Sequence, residues 1–141
     1  MHAALRVIAI DPKPPEAPKP RLLLVDDSVD GRRALDRILS LKGFDVTAVA
    51  DGRSATEALT LSTFDVVLTD LNLPDIDGRE VARHADSLRP RPLIALITGW
   101  GQEVEGEDIA AWGIDRLFLK PLDLTAMLAE IRRSLANRAE G

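Results

Sequence analysis

Four places along the chain carry side chains suited to phosphoryl chemistry: the acid pair Asp26-Asp27, the acid Asp70, the hydroxyl of Thr98 and the amine of Lys120. Three carboxylates brought together repel one another and need a counter-charge. There is no cysteine and no paired histidine, so the ligands on offer are oxygens, and these favour a hard cation, Mg²⁺ before Ca²⁺. A hydroxyl and a fixed positive charge beside that cation would neutralise the equatorial oxygens of a phosphoryl group in transfer, where positioning and electrostatics supply most of the catalysis. Asp70 would then be the attacking oxygen and would carry an acyl phosphate. Taken singly, each residue has a plainer use: Asp26 or Asp27 caps a helix, Thr98 ends a strand, Lys120 is a solvated charge.

Their joint meaning depends on the elements that position them. "LLLV" (Leu22 to Val25) is short, continuous and apolar, the pattern of a strand buried on both faces. "SVDGRRALDRILSLKG" sets Ala34, Leu35, Ile38 and Leu39 on one helical face and stops at Gly43. "FDVTAV" alternates as a half-exposed strand, and "DGRSATEALTL" places Ala55, Ala58 and Leu59 on one side of a helix. "FDVVLT" is a third strand, followed by an acidic loop in which Asp75 and Asp77 do turn and cap work. Asp77 with Glu80 starts a helix in the manner of a capping box, and Val81, Ala85 and Leu88 follow at helical spacing. "PLIALIT" is a fourth strand, and "GWGQEVEGEDIAAWG" a weak, short helix with Val104, Ile109 and Trp112 as its apolar side. "IDRLFL" is a fifth strand, and "DLTAMLAEIRRSLANR" a strong helix capped by Asp123, with Leu124, Met127, Leu128, Ile131 and Leu135 facing inward.

Five strands each followed by a helix imply an α/β, doubly wound, five-stranded parallel sheet with right-handed crossovers. The common order, 2-1-3-4-5, reverses between strands 1 and 3, and ligands bind outside the carboxyl ends of the strands at that reversal. Asp26-Asp27 follow strand 1, Asp70 follows strand 3, Thr98 ends strand 4 and Lys120 ends strand 5. The expected topology thus brings all of them to one crevice.

The 141 residues suit one domain, and a composition 45% apolar and 29% charged is that of an ordinary soluble protein. A net charge of −5 with scattered Lys and Arg offers no cationic footprint, so direct nucleic-acid binding is not expected. The N-terminal "AALRVIAI" is short, holds Arg6 and lacks a small-residue cleavage site, and no apolar run reaches the roughly 20 residues of a membrane span. Together with the absence of cysteine this fits a cytoplasmic protein. "DPKPPEAPKP" is a proline-rich spacer. The expected organisation is a tail and linker over residues 1–20, one domain over 21–138, and a C-terminal tail over 139–141.

"LLLVDDSVDGRRAL", "VVLTDLNLPDIDG", "ALITG" and "LFLKPLD" resemble the four signature segments of response-regulator receiver domains of two-component phosphorelays, and the resemblance runs from Arg21 to about Asn137. It implies a flavodoxin/CheY-like fold and a phosphoprotein in which Asp70 is the phosphoacceptor. It also implies that Asp27, Asp70 and the backbone carbonyl of Asn72 ligate Mg²⁺, with Asp26 helping through water. Thr98 would bind the arriving phosphoryl group, Lys120 would pair with Asp70 or its phosphate, and Pro121 would follow a cis peptide bond. The implied partners are a sensor histidine kinase or histidine phosphotransfer protein as donor, and a downstream protein target. Phosphorylation would change the surface of the fourth helix, fifth strand and fifth helix, through which a homodimer would also form. A receiver of this kind is a self-catalysed phosphoacceptor with slow autodephosphorylation, not a turnover enzyme. The wording "ITGWGQ" is similar to receivers attached to hybrid sensor kinases.

The chain departs from the family where many receivers carry Phe or Tyr three residues before the lysine: here the residue is Leu117, while Phe118 points to the other face. Trp100 and the glycine-rich stretch from Gly99 to Gly106 are the alternative places for a switch. His84 and His2 lack the setting of a phosphodonor. The enzyme alternative is a haloacid-dehalogenase-like phosphohydrolase, which also uses an aspartyl phosphate but wants Asp-x-Asp, whereas Asn72 stands two residues after Asp70. A flavodoxin-like FMN module would open its first loop with Ser, Thr or Gly, not with Asp26-Asp27.

Overall fold

The computed structural model describes residues 18–99 and 109–140. His2, the run from Ala3 to Ile10, most of the proline-rich spacer, Trp100, Val104 and the glycines from Gly101 to Gly106 lie outside the described residues. Five strands, β1 (Arg21–Val25), β2 (Asp45–Val49), β3 (Val66–Asp70), β4 (Leu93–Thr98) and β5 (Arg116–Leu119), form one parallel sheet in the order β2-β1-β3-β4-β5. The reversal between β1 and β3 is the one expected from the alternation of strands and helices. Four α-helices are described, α1 (Val29–Leu41), α2 (Gly52–Leu61), α3 (Gly78–Asp86) and α4 (Leu124–Glu140). Ahead of β5, where a weak helix is expected, the described part is one 3₁₀ turn, Ile109–Trp112. The final helix continues to Glu140, past residue 138.

The continuous apolar strands are explained by burial on both faces. Leu23, Val25, Val67, Ile94 and Leu96 pack with Ala55 and Leu59 of α2 and Val81 and Ala85 of α3. Their neighbours Leu22, Leu24, Val66, Leu68, Ala95 and Ile97 point the other way, onto Leu39 of α1 and Met127 and Ile131 of α4. Truncating one such leucine costs about 2–5 kcal/mol, so the three central strands are a stiff platform for whatever their ends carry. The same alternation splits Leu117 and Phe118 between the two layers, as the strand pattern requires.

Local signals account for most element ends. Ser28 caps α1 by accepting from the Gly31 N–H, and Gly43, at φ +100, takes the chain away after it. Asp51 caps α2 through the Ser54 N–H at 2.7 Å, and Asp123 accepts from Ala126 N–H at 3.0 Å at the start of α4. Asp77 caps α3, with a difference from the expected capping box. Its carboxylate takes the N–H and guanidinium of Arg79 at 2.7 and 2.8 Å, while the Glu80 N–H goes to the Asp77 carbonyl. One inward assignment is corrected: Ala34, expected on the buried face of α1, is exposed, because Leu35 and Leu39 alone reach the sheet layer there.

Candidate functional site

Asp26, Asp70, Thr98 and Lys120 stand at, or one residue beyond, the carboxyl end of a strand, with Asp27 and Asn72 two residues beyond, and the sheet ladder extends far enough to hold the first four. Asp26 N–H bonds to Val49 O at 3.1 Å, Leu71 N–H to Ile97 O at 2.9 Å, and Lys120 N–H to Thr98 O at 2.9 Å. Asp70 itself is the last residue of β3, level with Ile97 of β4. The backbones under Asp26, Asp70, Thr98 and Lys120 are therefore one hydrogen-bonded sheet, and their side chains cannot drift apart independently. The Lys120–Pro121 peptide is cis, as the resemblance implied, and Arg89–Pro90 is cis as well.

The three acids do converge. One carboxylate oxygen from each of Asp26, Asp27 and Asp70 lies within 4.8 Å of the other two. Asp26 and Asp70 are buried and Asp27 is exposed, so the cluster opens to solvent on one side. The opening is a cleft of about 230 Å³ lined by Asp27, Asp70, Asn72, Thr98, Gly99 and Lys120. Lys120 Nζ sits 3.4 Å from Asp70 Oδ1. Neither Asp26 nor Asp27 caps α1, since Ser28 does so; Asp26 Oδ1 instead accepts the Ser28 N–H at 2.9 Å. The plainer use of the acid pair is thus taken by another residue.

Burial pushes the Asp70 carboxyl from its ordinary 3.8 up to about 7; the adjacent Asp26 adds to the rise, and Lys120 opposes it without cancelling it. One ammonium, itself half exposed, does not balance three carboxyl groups. Either a proton held on Asp70 and shared with Asp26, or a cation among the three, relieves the same repulsion. The donor set is all oxygen, solvent can enter beside Asp27, and the oxygens are close enough to share one ion, so these residues fit a hard divalent cation.

Other contacts at the site carried no signal in the local pattern. Arg32 of α1 donates to the main-chain carbonyl of Asp26 at 3.0 Å, adding a cation beneath the acid pair. Thr69 Oγ1, buried, donates to Asp70 O at 2.9 Å. The loop from Leu71 to Asp77 is closed at its neck by Gly78 N–H on Leu71 O at 2.8 Å. Gly78 is required there by space: a Cβ would lie 2.1 Å from Asp70 O. Asp75, expected to serve its own turn, reaches across to α2 and accepts from Gly52 N–H at 2.8 Å and Arg53 N–H at 2.9 Å. A signal for these partners would have to come from residue pairs far apart in the chain.

The family model described as the response regulator receiver domain matches residues 22–132. The response regulator receiver protein CpdR of Brucella abortus is 36% identical over 115 residues, which cover 82% of this chain and 96% of that protein. The regulatory protein VirG of Agrobacterium tumefaciens is 35% identical over 86% of this chain, but the match spans only 45% of VirG. Among solved structures, the chemotaxis response regulator CheY4 of Vibrio cholerae superposes with a TM-score of 0.74 at 26% identity, covering 82% of this chain and 98% of that one.

Proposed function

The chain belongs to the response regulator receiver domain family of two-component systems, and from that premise we propose that it takes a phosphoryl group onto Asp70 from a phosphohistidine. The observation that carries the proposal is the gathering of Asp26, Asp27 and Asp70 within 4.8 Å, with Lys120 Nζ 3.4 Å from the Asp70 carboxylate. The receiving unit is residues 21–138. Its donor is a sensor histidine kinase or a histidine phosphotransfer protein, the class of partner that response regulators use.

Asp70 attacks phosphorus with a carboxylate oxygen as the phosphorus–nitrogen bond breaks, leaving an acyl phosphate on the protein and, from a phosphohistidine protonated on its other ring nitrogen, a neutral imidazole on the donor. Burial of β3 holds that oxygen at the cleft, so little motion is needed to reach the in-line geometry. Lys120 loses its carboxylate partner as the bond forms and passes to the phosphoryl oxygens. Thr98, also buried, lines the same cleft at the end of the strand between those of Asp70 and Lys120, and donates its hydroxyl to the bound group. Asp26, Asp27, Asp70 and the Asn72 carbonyl would hold Mg²⁺. When bound, the ion supplies charge neutralisation for the acids and the entering phosphoryl oxygens.

The output is a change of surface around β5, α4 and the segment before β5, as the family resemblance implies. With Leu117 at the usual aromatic position, packed in the layer of α2 and α3, the report of phosphorylation cannot be a rotating ring at that position. The haloacid-dehalogenase alternative needs a second acid two residues after Asp70, where Asn72 stands.

The test is intact-mass analysis after exposure to acetyl phosphate and Mg²⁺. Wild type should gain one phosphoryl adduct and Asp70→Asn none. An adduct of equal yield on Asp70→Asn would overturn the assignment, and rapid turnover of simple phosphoesters would favour the phosphohydrolase instead.

A further inference from the structure

The loop that follows Asp70 is tied at two places of different kinds. At its neck the tie is internal, Gly78 N–H to Leu71 O. At its tip the tie is to another element. Asp75 Oδ1 accepts from Gly52 N–H and from its neighbour Ile76 N–H, both at 2.8 Å, and Oδ2 accepts from Arg53 N–H at 2.9 Å. The carboxylate thus straddles the first two N–H groups of α2, which have no partner within their own helix. Asp51 serves the next one, through Ser54.

The helix is cut to receive the loop. A Cβ on Gly52 would meet Ile76 side-chain carbons at 2.1 and 2.7 Å and Asp75 Oδ1 at 3.3 Å. Ile76 therefore lies in the space a side chain at Gly52 would fill, while Asp75 binds the N–H groups beside it. These contacts fix the loop against α2 from both sides of the interface. Asn72 lies between the neck and this tip, on the rim of the cleft.

We propose that Asp75 is a positioning residue for the metal site: by clamping the loop tip to the start of α2 it sets the place of the Asn72 carbonyl, and so the affinity of the acid cluster for Mg²⁺. The inference rests on the reading of Asp26, Asp27, Asp70 and Asn72 as the Mg²⁺ site. Asp75 is not itself one of these ligands; it acts through the backbone from Leu73 to Asp77. The same clamp makes α2 and the metal site two ends of one contact, so a change at Gly52 should be felt at the ion without any change to a ligand.

The experiment is calorimetric titration of the full chain with Mg²⁺ alone, joined to amide hydrogen exchange of the same proteins in EDTA. Asp75→Ala should raise the Mg²⁺ dissociation constant about tenfold, and Asp75→Asn, which keeps one acceptor oxygen, should raise it less. Gly52→Ala, acting from the opposite side, should weaken binding in the same direction as Asp75→Ala. In EDTA the amides of residues 71–77 should exchange faster in Asp75→Ala, with β1, β3 and β4 unchanged. A lower melting temperature with Mg²⁺ affinity equal to wild type would make Asp75 an ordinary helix cap and overturn the inference alone. Wild type that takes up no Mg²⁺ would overturn the reading of the site, and this inference with it.

Discussion

Replacing Asp70 by Asn should make the metal-free protein more stable, by an amount set by pH. The Asp70 carboxyl ionises near 3.8 in an unfolded chain, but burial beside Asp26 lifts it to about 7 in the fold. Below the lower value both states hold the proton and the residue has no effect on the balance. Between the two values the unfolded chain has released its proton and the folded protein still holds it, so stability falls as pH rises through this window and levels off above about 7. The shift corresponds to a ceiling on the order of 4 kcal/mol. Solvent access beside Asp27 screens part of that, so the expected gain for Asp70→Asn is ~1–3 kcal/mol at about pH 8. Asparagine keeps the shape of the side chain and removes the charge. Urea denaturation in EDTA across a pH series, wild type beside variant, reads the effect directly. The two stability curves should separate as pH rises, and excess Mg²⁺ should stabilise wild type more than the variant, by about 2.7 kcal/mol if the ion is at a hundredfold excess over its dissociation constant. Curves that stay parallel, or a variant less stable than wild type at about pH 8, would refute the reasoning.

Lys120→Met should move the titration of Asp70 further upward, visible in carboxyl-carbon NMR, because the ammonium that opposes the shift is gone. Since Lys120 is half exposed, global stability should change by less than ~1 kcal/mol, while adduct formation from acetyl phosphate should slow at least about tenfold. Gly78→Ala should cost about 3 kcal/mol or more in thermal or urea denaturation, since its Cβ would lie 2.1 Å from the Asp70 carbonyl oxygen. Arg91 bonds Asp86 at 2.8 Å, Asp115 at 2.9 Å and the Gly113 carbonyl at 2.8 Å, joining the end of α3 to the start of β5. Arg91→Ala should therefore lose about 2 kcal/mol of stability, and Arg91→Lys should recover less than half, because a single ammonium nitrogen cannot span the three acceptors that Nε, Nη1 and Nη2 reach separately.

The strands were legible because a strand buried on both faces must be apolar at successive positions, and Leu22 to Val25 and Leu93 to Ile97 state this within a few residues. Helix stops such as Gly43 and caps such as Asp77 and Asp123 were legible for the same reason: the groups they satisfy lie within one turn. Ala34 was misplaced because a small residue at the border of an apolar stripe is compatible with either side, and only the distance to the sheet decides. The partners of Asp75, Arg32 and Arg91 were not legible at all. Each is a polar side chain in a turn or helix end, where a local partner is the ordinary outcome, and the actual acceptors or donors lie on elements that only the crossovers bring near.

The sequence by itself determined which residues stand at the carboxyl ends of β1, β3, β4 and β5, since that follows from the order of apolar runs and the residues next to them. Only the tertiary structure decided what those residues do to one another. The rise of the Asp70 carboxyl to about 7, its pairing with Lys120, and the clamp of Asp75 on α2 all depend on distances between separate elements. Electrostatic and hydrogen-bond energies vary steeply over an ångström, and spacing along a chain carries no information at that scale across a fold.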